Sequence, residues 1–172
     1  MRILIFTEGT IIMHKDAVGH TREEIVKQAK EKIKNWILGT IFRKKGNLFY
    51  YKSYVPVGNA AKKLRNWKKD GAEILYLTSR RIPEQITQIR KVLKKYDFSD
   101  GLLLFRQKGE GYKDVAERAV PDILVEDDCE SIGGIYYMAI AHVKSETKNK
   151  IKSIRIKEFG GIDHLPDKIS AL

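Results

Sequence analysis

Ile3-Leu4-Ile5-Phe6-Thr7-Glu8-Gly9-Thr10 is the stretch on which the fold of this chain turns. Four apolar residues in a row suit a strand buried on both faces, as in a parallel sheet. The run ends in Glu-Gly-Thr, a turn with a carboxylate, a flexible backbone position and a hydroxyl. An apolar strand running into such a turn is how an α/β sheet presents chemical groups at its carboxyl edge.

Working outward, strand and helix patterns alternate. Thr21-Arg22-Glu23-Glu24 is a capping box, with Ile25, Val26, Ala29, Ile33, Trp36 and Ile37 at helical spacing behind it and Gly39 placed to close the helix. A second helix starts at Asn59, carries Ala60, Ala61, Leu64 and Trp67 on one face, and ends near Gly71. Residues 74–77 read as a short buried strand. Pro83 suits the first turn of a third helix, with Ile86, Ile89 and Leu93 inward. Residues 102–105 form the next strand, residues 113–118 a short helix, and residues 123–125 a fourth strand running into Glu126-Asp127-Asp128. Residues 151–159 alternate apolar and basic, as an edge strand with one wet face does. The expected architecture is α/β with a central parallel sheet.

Residues 14–57 are too long for a plain strand-to-helix connection and read as a small helical cap inserted above the sheet edge of a single domain, 1–172. The second half of the insertion, Asn47-Leu48-Phe49-Tyr50-Tyr51-Lys52-Ser53-Tyr54, is rich in aromatic residues that can pack cap against core, with one or two left to face a ligand.

With 172 residues the chain can bury one good core. No apolar run approaches the ~20 residues of a membrane span. The start is interrupted too soon by Glu8 to read as a signal peptide. Cys129 is the one cysteine, which rules out an intramolecular disulfide and points to a reducing, cytoplasmic setting. The net charge of +11 is spread along whole helices between core positions. It reads as solvated helix faces rather than a nucleic-acid surface, and no nucleic-acid signature motif accompanies it. An anionic small molecule remains compatible with it.

Four stretches, in this order, resemble the motifs of the haloacid dehalogenase (HAD) superfamily: residues 6–10, Leu77-Thr78-Ser79 after the second strand, a lysine ahead of the fourth strand, and Asp127-Asp128 after it. The resemblance covers nearly the whole chain. It implies a HAD-like Rossmannoid three-layer fold with strand one central, the strands ending near 77 and 105 on one side, and those ending near 126 and 159 on the other. It also implies phosphate-ester chemistry. Glu8, Thr78 and Lys113 take the catalytic positions, and Gly9, Thr10, Thr78, Ser79, Arg80 and Lys113 surround the phosphoryl group. Mg²⁺ is held, weakly, by Glu8, Asp127 and Asp128. Lys108 competes with Lys113 for the lysine role, Thr78 and Ser79 also suit capping before Pro83, and Glu130 and Ser131 are candidates for outer-shell oxygens. A phosphorylated small molecule or nucleotide is the implied ligand.

One departure stands out. Phe6 occupies the slot of the nucleophilic aspartate, and Glu8 that of the acid/base aspartate. A phenyl ring neither attacks phosphorus nor ligates a metal. Two expectations follow: a divergent hydrolase with weak or no phosphatase activity, drawing on a Glu8-activated water, or a non-catalytic binder of a phosphorylated ligand or protein partner.

Overall fold

In the computed structural model, residues 1–37 and 53–172 are described. β1 (Arg2–Phe6) is the middle strand of a five-stranded sheet. It runs parallel to β4 (Glu73–Leu77) on one side, in register from Arg2 opposite Glu73 to Phe6 opposite Leu77. On the other side it runs parallel to β6 (Ile123–Asp127), with Ile3, Leu4 and Ile5 opposite Ile123, Leu124 and Val125. β5 (Leu102–Leu104) and β7 (Lys152–Ile156) complete the order β5-β4-β1-β6-β7, all parallel. This order is the expected one and is compatible with a Rossmann-like fold.

Alternation along β1 explains the layers, because successive side chains point to opposite faces. Ile3 and Ile5 enter a core with Leu64 and Trp67 of α2 (Ala60–Lys69) and Ile86 and Ile89 of α3 (Pro83–Lys95). Leu4 enters the opposite core with Val115 and Ala116 of α4 (Tyr112–Ala119) and Ala139 of α5 (Ala139–His142). Each fully buried aliphatic side chain contributes about 1.5–3 kcal/mol. β7 keeps the expected wet face, with Ser153 and Arg155 exposed and Ile156 buried. A four-residue helix, α6 (Ser145–Lys148), leads into it.

The C-terminal segment wraps α2. Asp163 caps its N-terminus, accepting from the Asn59 amide at 2.9 Å, and Trp67 Nε1 donates to the Pro166 carbonyl at 3.0 Å. The turn at Gly160-Gly161 has a packing role: Ile162, just beyond it, is fully buried.

The insertion begins and ends in strands. β2 (Ile12–His14) pairs antiparallel with β3 (Tyr54–Pro56), His14 opposite Tyr54. Three-residue strands are too short to show a period-2 pattern, so the sequence suggests only the helical part. That part is α1 (Arg22–Ile37), opened by the expected box: Glu24 N–H donates to Thr21 Oγ1 at 3.3 Å, and Thr21 N–H donates to Glu24 Oε2 at 2.9 Å. The expected roles of the Ile33, Trp36 and Ile37 side chains, of Gly39 and of the aromatic run 47–52 lie outside the described residues. Among the described residues no helix is long and apolar enough to cross a membrane.

Candidate functional site

The strand order reverses between β1 and β6, and in open α/β sheets ligands bind beyond the carboxyl ends of strands at such a point. A cleft of about 350 Å³ lies there. Phe6, Glu8, Gly9, Ser79, Arg80, Asp127 and Glu158 line its sheet side, and Ile25, Gln28, Ala29 and Lys32 of α1 line its cap side.

Phe6 ends β1 half-buried and packs edge-on against Tyr112, ring centroids 5.2 Å apart. Thr7 next to it points into the protein, fully buried, and its hydroxyl donates to Glu8 Oε2 at 2.6 Å. Gly9 follows in the left-handed region at φ 83°, where only glycine is unstrained. A Cβ there would meet Asp127 Oδ2 at 2.9 Å. Thr10, also fully buried, donates its hydroxyl to the same Asp127 Oδ2 at 2.8 Å. The turn after β1 is thus stitched directly to the end of β6.

Glu8 is held by the groups that the resemblance assigns to a phosphoryl group. Its Oε1 accepts from Thr78 Oγ1 at 2.8 Å and from Arg80 Nε at 2.9 Å. Its Oε2 accepts from the Ser79 amide at 3.1 Å, besides Thr7. Burial works to raise the Glu8 carboxyl, but the Arg80 guanidinium and the bonds from Thr7, Ser79 and Thr78 outweigh it and hold the group below its ordinary value. A carboxylate so clamped is a poor general base and has little freedom to ligate a metal. Thr78, fully buried, lies under Glu8 and caps nothing before Pro83; its hydroxyl accepts from the Arg80 amide at 3.2 Å instead.

The opposite wall is acidic. Ligand oxygens of Asp127, Asp128 and Glu158 all lie within 4.8 Å of one another, and among the described residues these three could hold a metal ion. Three carboxylates at this spacing are hard oxygen donors that suit a divalent cation. Glu8 is not in this group, being held on the other side by Arg80 and Thr78, and Glu158 stands beside Asp127 and Asp128. Burial pushes the Asp127 carboxyl up despite bonds from Thr10 and the Cys129 amide. Burial also pushes Glu158 up, with Asp127 and Asp128 adding to it, against two bonds of 2.6 Å from Ser131. Ser131 thus does act as a partner of a ligand candidate, while Glu130 turns to Arg22 at 2.6 Å. Glu126 faces away from this group. Its carboxylate accepts from the Ala139 and Ile140 amides at 2.7 and 3.0 Å, and burial pushes it up to about 7. Cys129 is no reactive thiolate: burial, Asp127 and Glu126 push its thiol up.

Lys113 does not reach the cleft. Its ammonium binds Asp114 at 2.9 Å and borders a separate hollow, because α4 begins at Tyr112 and turns that residue, not Lys113, toward Phe6. Nor does Lys108 replace it, being exposed and absent from the cleft lining.

Two residues of the site were not foreseen from the sequence. Glu158 lies just past the end of β7, the neighbour of β6, and a carboxylate at the carboxyl end of an adjacent parallel strand was the available signal. Arg22 fastens α1 to the acidic wall: its Nε donates to the Glu158 carbonyl at 2.9 Å, and its guanidinium lies 3.6 Å from Asp128 Oδ2. No protein-family model matches the chain, and no curated protein sequence matches it either.

Proposed function

We propose that this chain is a divergent haloacid dehalogenase-like protein that binds a phosphorylated small molecule or nucleotide and lacks the covalent phosphatase route of that superfamily. In this reading Asp127, Asp128 and Glu158 would hold a hard divalent cation such as Mg²⁺, which would supply positive charge for the phosphate. The observation that carries the reading is Phe6, an apolar ring packed on Tyr112 at the position where the resemblance puts the nucleophile. Losing the nucleophile of a well-studied hydrolase costs on the order of 10⁶ in kcat. Glu8 does not replace it, because four donors hold its carboxylate. Slow hydrolysis by an activated water is the second reading. Asp127 favours it: its carboxyl lines the cleft, and burial pushes it above its ordinary value, whereas that of Glu8 is held below.

Calorimetric titration with Mg²⁺, followed by a panel of phosphate monoesters and nucleotides, tests both. The expected result is cation-dependent binding that Asp127→Asn and Glu158→Gln abolish, with turnover far below the usual ~1–10³ s⁻¹. Binding that ignores the cation and survives both substitutions overturns the site. Fast turnover overturns the non-catalytic reading.

A further inference from the structure

Arg106, just past β5, has a guanidinium that pairs with no carboxylate among the described residues. Its Nε is buried and has no hydrogen-bond partner among the described residues. Among the described residues its one hydrogen bond is a long one, 3.4 Å from Nη2 to the Ser79 carbonyl. Its guanidinium lies over the ring of Tyr112, 3.9 Å from the centroid. That stacking fixes the plane of the fork, an arrangement suited to planar, two-pronged recognition of an oxyanion.

The acids flanking Tyr112 are paired with other groups. Glu8 holds Arg80, Asp114 holds Lys113, and Glu110 holds Arg118 and the Gln107 amide. Arg81 approaches from the β4–α3 loop and, among the described residues, donates only to the Glu110 backbone carbonyl, at 3.2 Å. Burial pushes the Arg106 guanidinium down, and the positive charge of Arg81 adds to this. Two like charges held together beside a buried, unpartnered N–H are costly, and an unsatisfied buried donor in a folded protein calls for a partner.

We infer that Arg106 and Arg81 form a binding site for an oxyanion group, the phosphate or carboxylate of a small molecule, beside the cleft and against the ring of Tyr112. The Arg106 fork supplies two parallel N–H donors, and Arg81 closes over the bound group from the exposed side. Tyr112 also lines the cleft, so an anion on Arg106 lies one aromatic ring away from Phe6 and Glu8. The site goes beyond the cation-dependent reading of the cleft and requires no metal.

The test uses the whole chain in buffer stripped of divalent cations, with inorganic phosphate and acetate titrated in separate arms. The arginine Nε–H resonances are followed by NMR. The Arg106 Nε–H signal is expected to shift saturably with phosphate, and the acetate arm tells whether a carboxylate suffices. Arg81→Ala, an exposed change, is expected to weaken the response about tenfold. Arg106→Lys, which keeps the charge and loses the fork, is expected to weaken it at least as much, and Arg106→Leu to abolish it. An Arg106 signal unmoved by both anions overturns the site, as does phosphate affinity that survives both Arg81→Ala and Arg106→Lys. If Arg106→Leu fails to fold, these two variants and the wild-type spectrum still decide the outcome. With no divalent cation present, failure here leaves the Asp127 reading standing, and failure of that reading leaves this one standing.

Discussion

Arg80 Nε donates to Glu8 Oε1 at 2.9 Å, so the guanidinium that the resemblance assigns to a phosphoryl group meets an internal carboxylate. Thr78 and Ser79 make the same exchange. The donors just past β4 and the carboxylate just past β1 satisfy each other, and the cleft is left with an acidic wall on the β6–β7 side.

Glu8 should therefore matter first to stability. Breaking a largely buried pair by removing one partner costs about 3–5 kcal/mol. Glu8→Ala is expected to lose stability on that scale in chemical denaturation, and Glu8→Gln, which keeps an acceptor for Thr78, to lose less. The Glu8 carboxyl sits below its ordinary value of 4.5 in the folded chain. Its contribution is present above that value and is lost as pH falls through the lowered one. Comparing acid denaturation of the wild type with Glu8→Gln should show this acid-side slope only in the wild type. Equal slopes would mean that the clamp is not what holds Glu8 charged.

Gly9 was legible as a turn residue, but its contact with Asp127 was not. The strands themselves, the two helices α2 and α3 with their buried faces, and the edge position of β7 followed from apolar runs and from helix-start residues, because those signals are local; the order of the strands came from the resemblance. The partner of each polar group is set by tertiary approach, which leaves no local trace. That is why Lys113 looked like a site residue and pairs with its neighbour Asp114, and why Glu158 drew no notice although it completes the acidic group. The hairpin of β2 and β3 was lost because its strands are separated by most of the insertion.

Gly9→Ala puts a Cβ 2.9 Å from Asp127 Oδ2 at a backbone φ of 83°. It is expected to cost at least ~1 kcal/mol from the backbone alone. It should also displace Asp127 and weaken any Mg²⁺-dependent rise in melting temperature. A variant that keeps both wild-type stability and the full cation response would show that the close approach of Gly9 to Asp127 does not shape the site.

Glu126 gives a pH dependence of the opposite sign to Glu8. Its carboxyl moves from an ordinary 4.5 up to about 7 in the folded chain. Between those values the folded state holds the proton that the unfolded state has released, so stability falls as pH rises through this window, by up to ~1.4 kcal/mol per unit. Asp127 and Glu158, also pushed up, act in the same direction. His14, pushed down by burial, acts against them just below its ordinary value. The difference between the wild type and Glu126→Gln, measured without divalent cations, isolates the Glu126 share. That difference should narrow as pH falls from 7 toward 4.5. A difference that stays constant would show that Glu126 is charged throughout and held by the α5 amides alone.

Phe6 offers the sharpest test of the resemblance. Phe6→Asp removes a half-buried ring from Tyr112 and is expected to cost about 3 kcal/mol. It also places a carboxylate at the end of β1, next to the acidic wall. Phosphatase activity should then appear on a panel of monoesters, with a trappable acyl-phosphate at position 6. Because Glu8 stays clamped by Arg80 and Thr78, the single variant lacks a free acid/base group. Adding Glu8→Asp, whose shorter side chain cannot keep all four bonds at once, should raise the rate further. Single and double variants that fold, respond to Mg²⁺ and remain inert would show that the likeness to the superfamily stops at the sheet. The cleft would then stand as a binding site whose chemistry was lost at more than one residue.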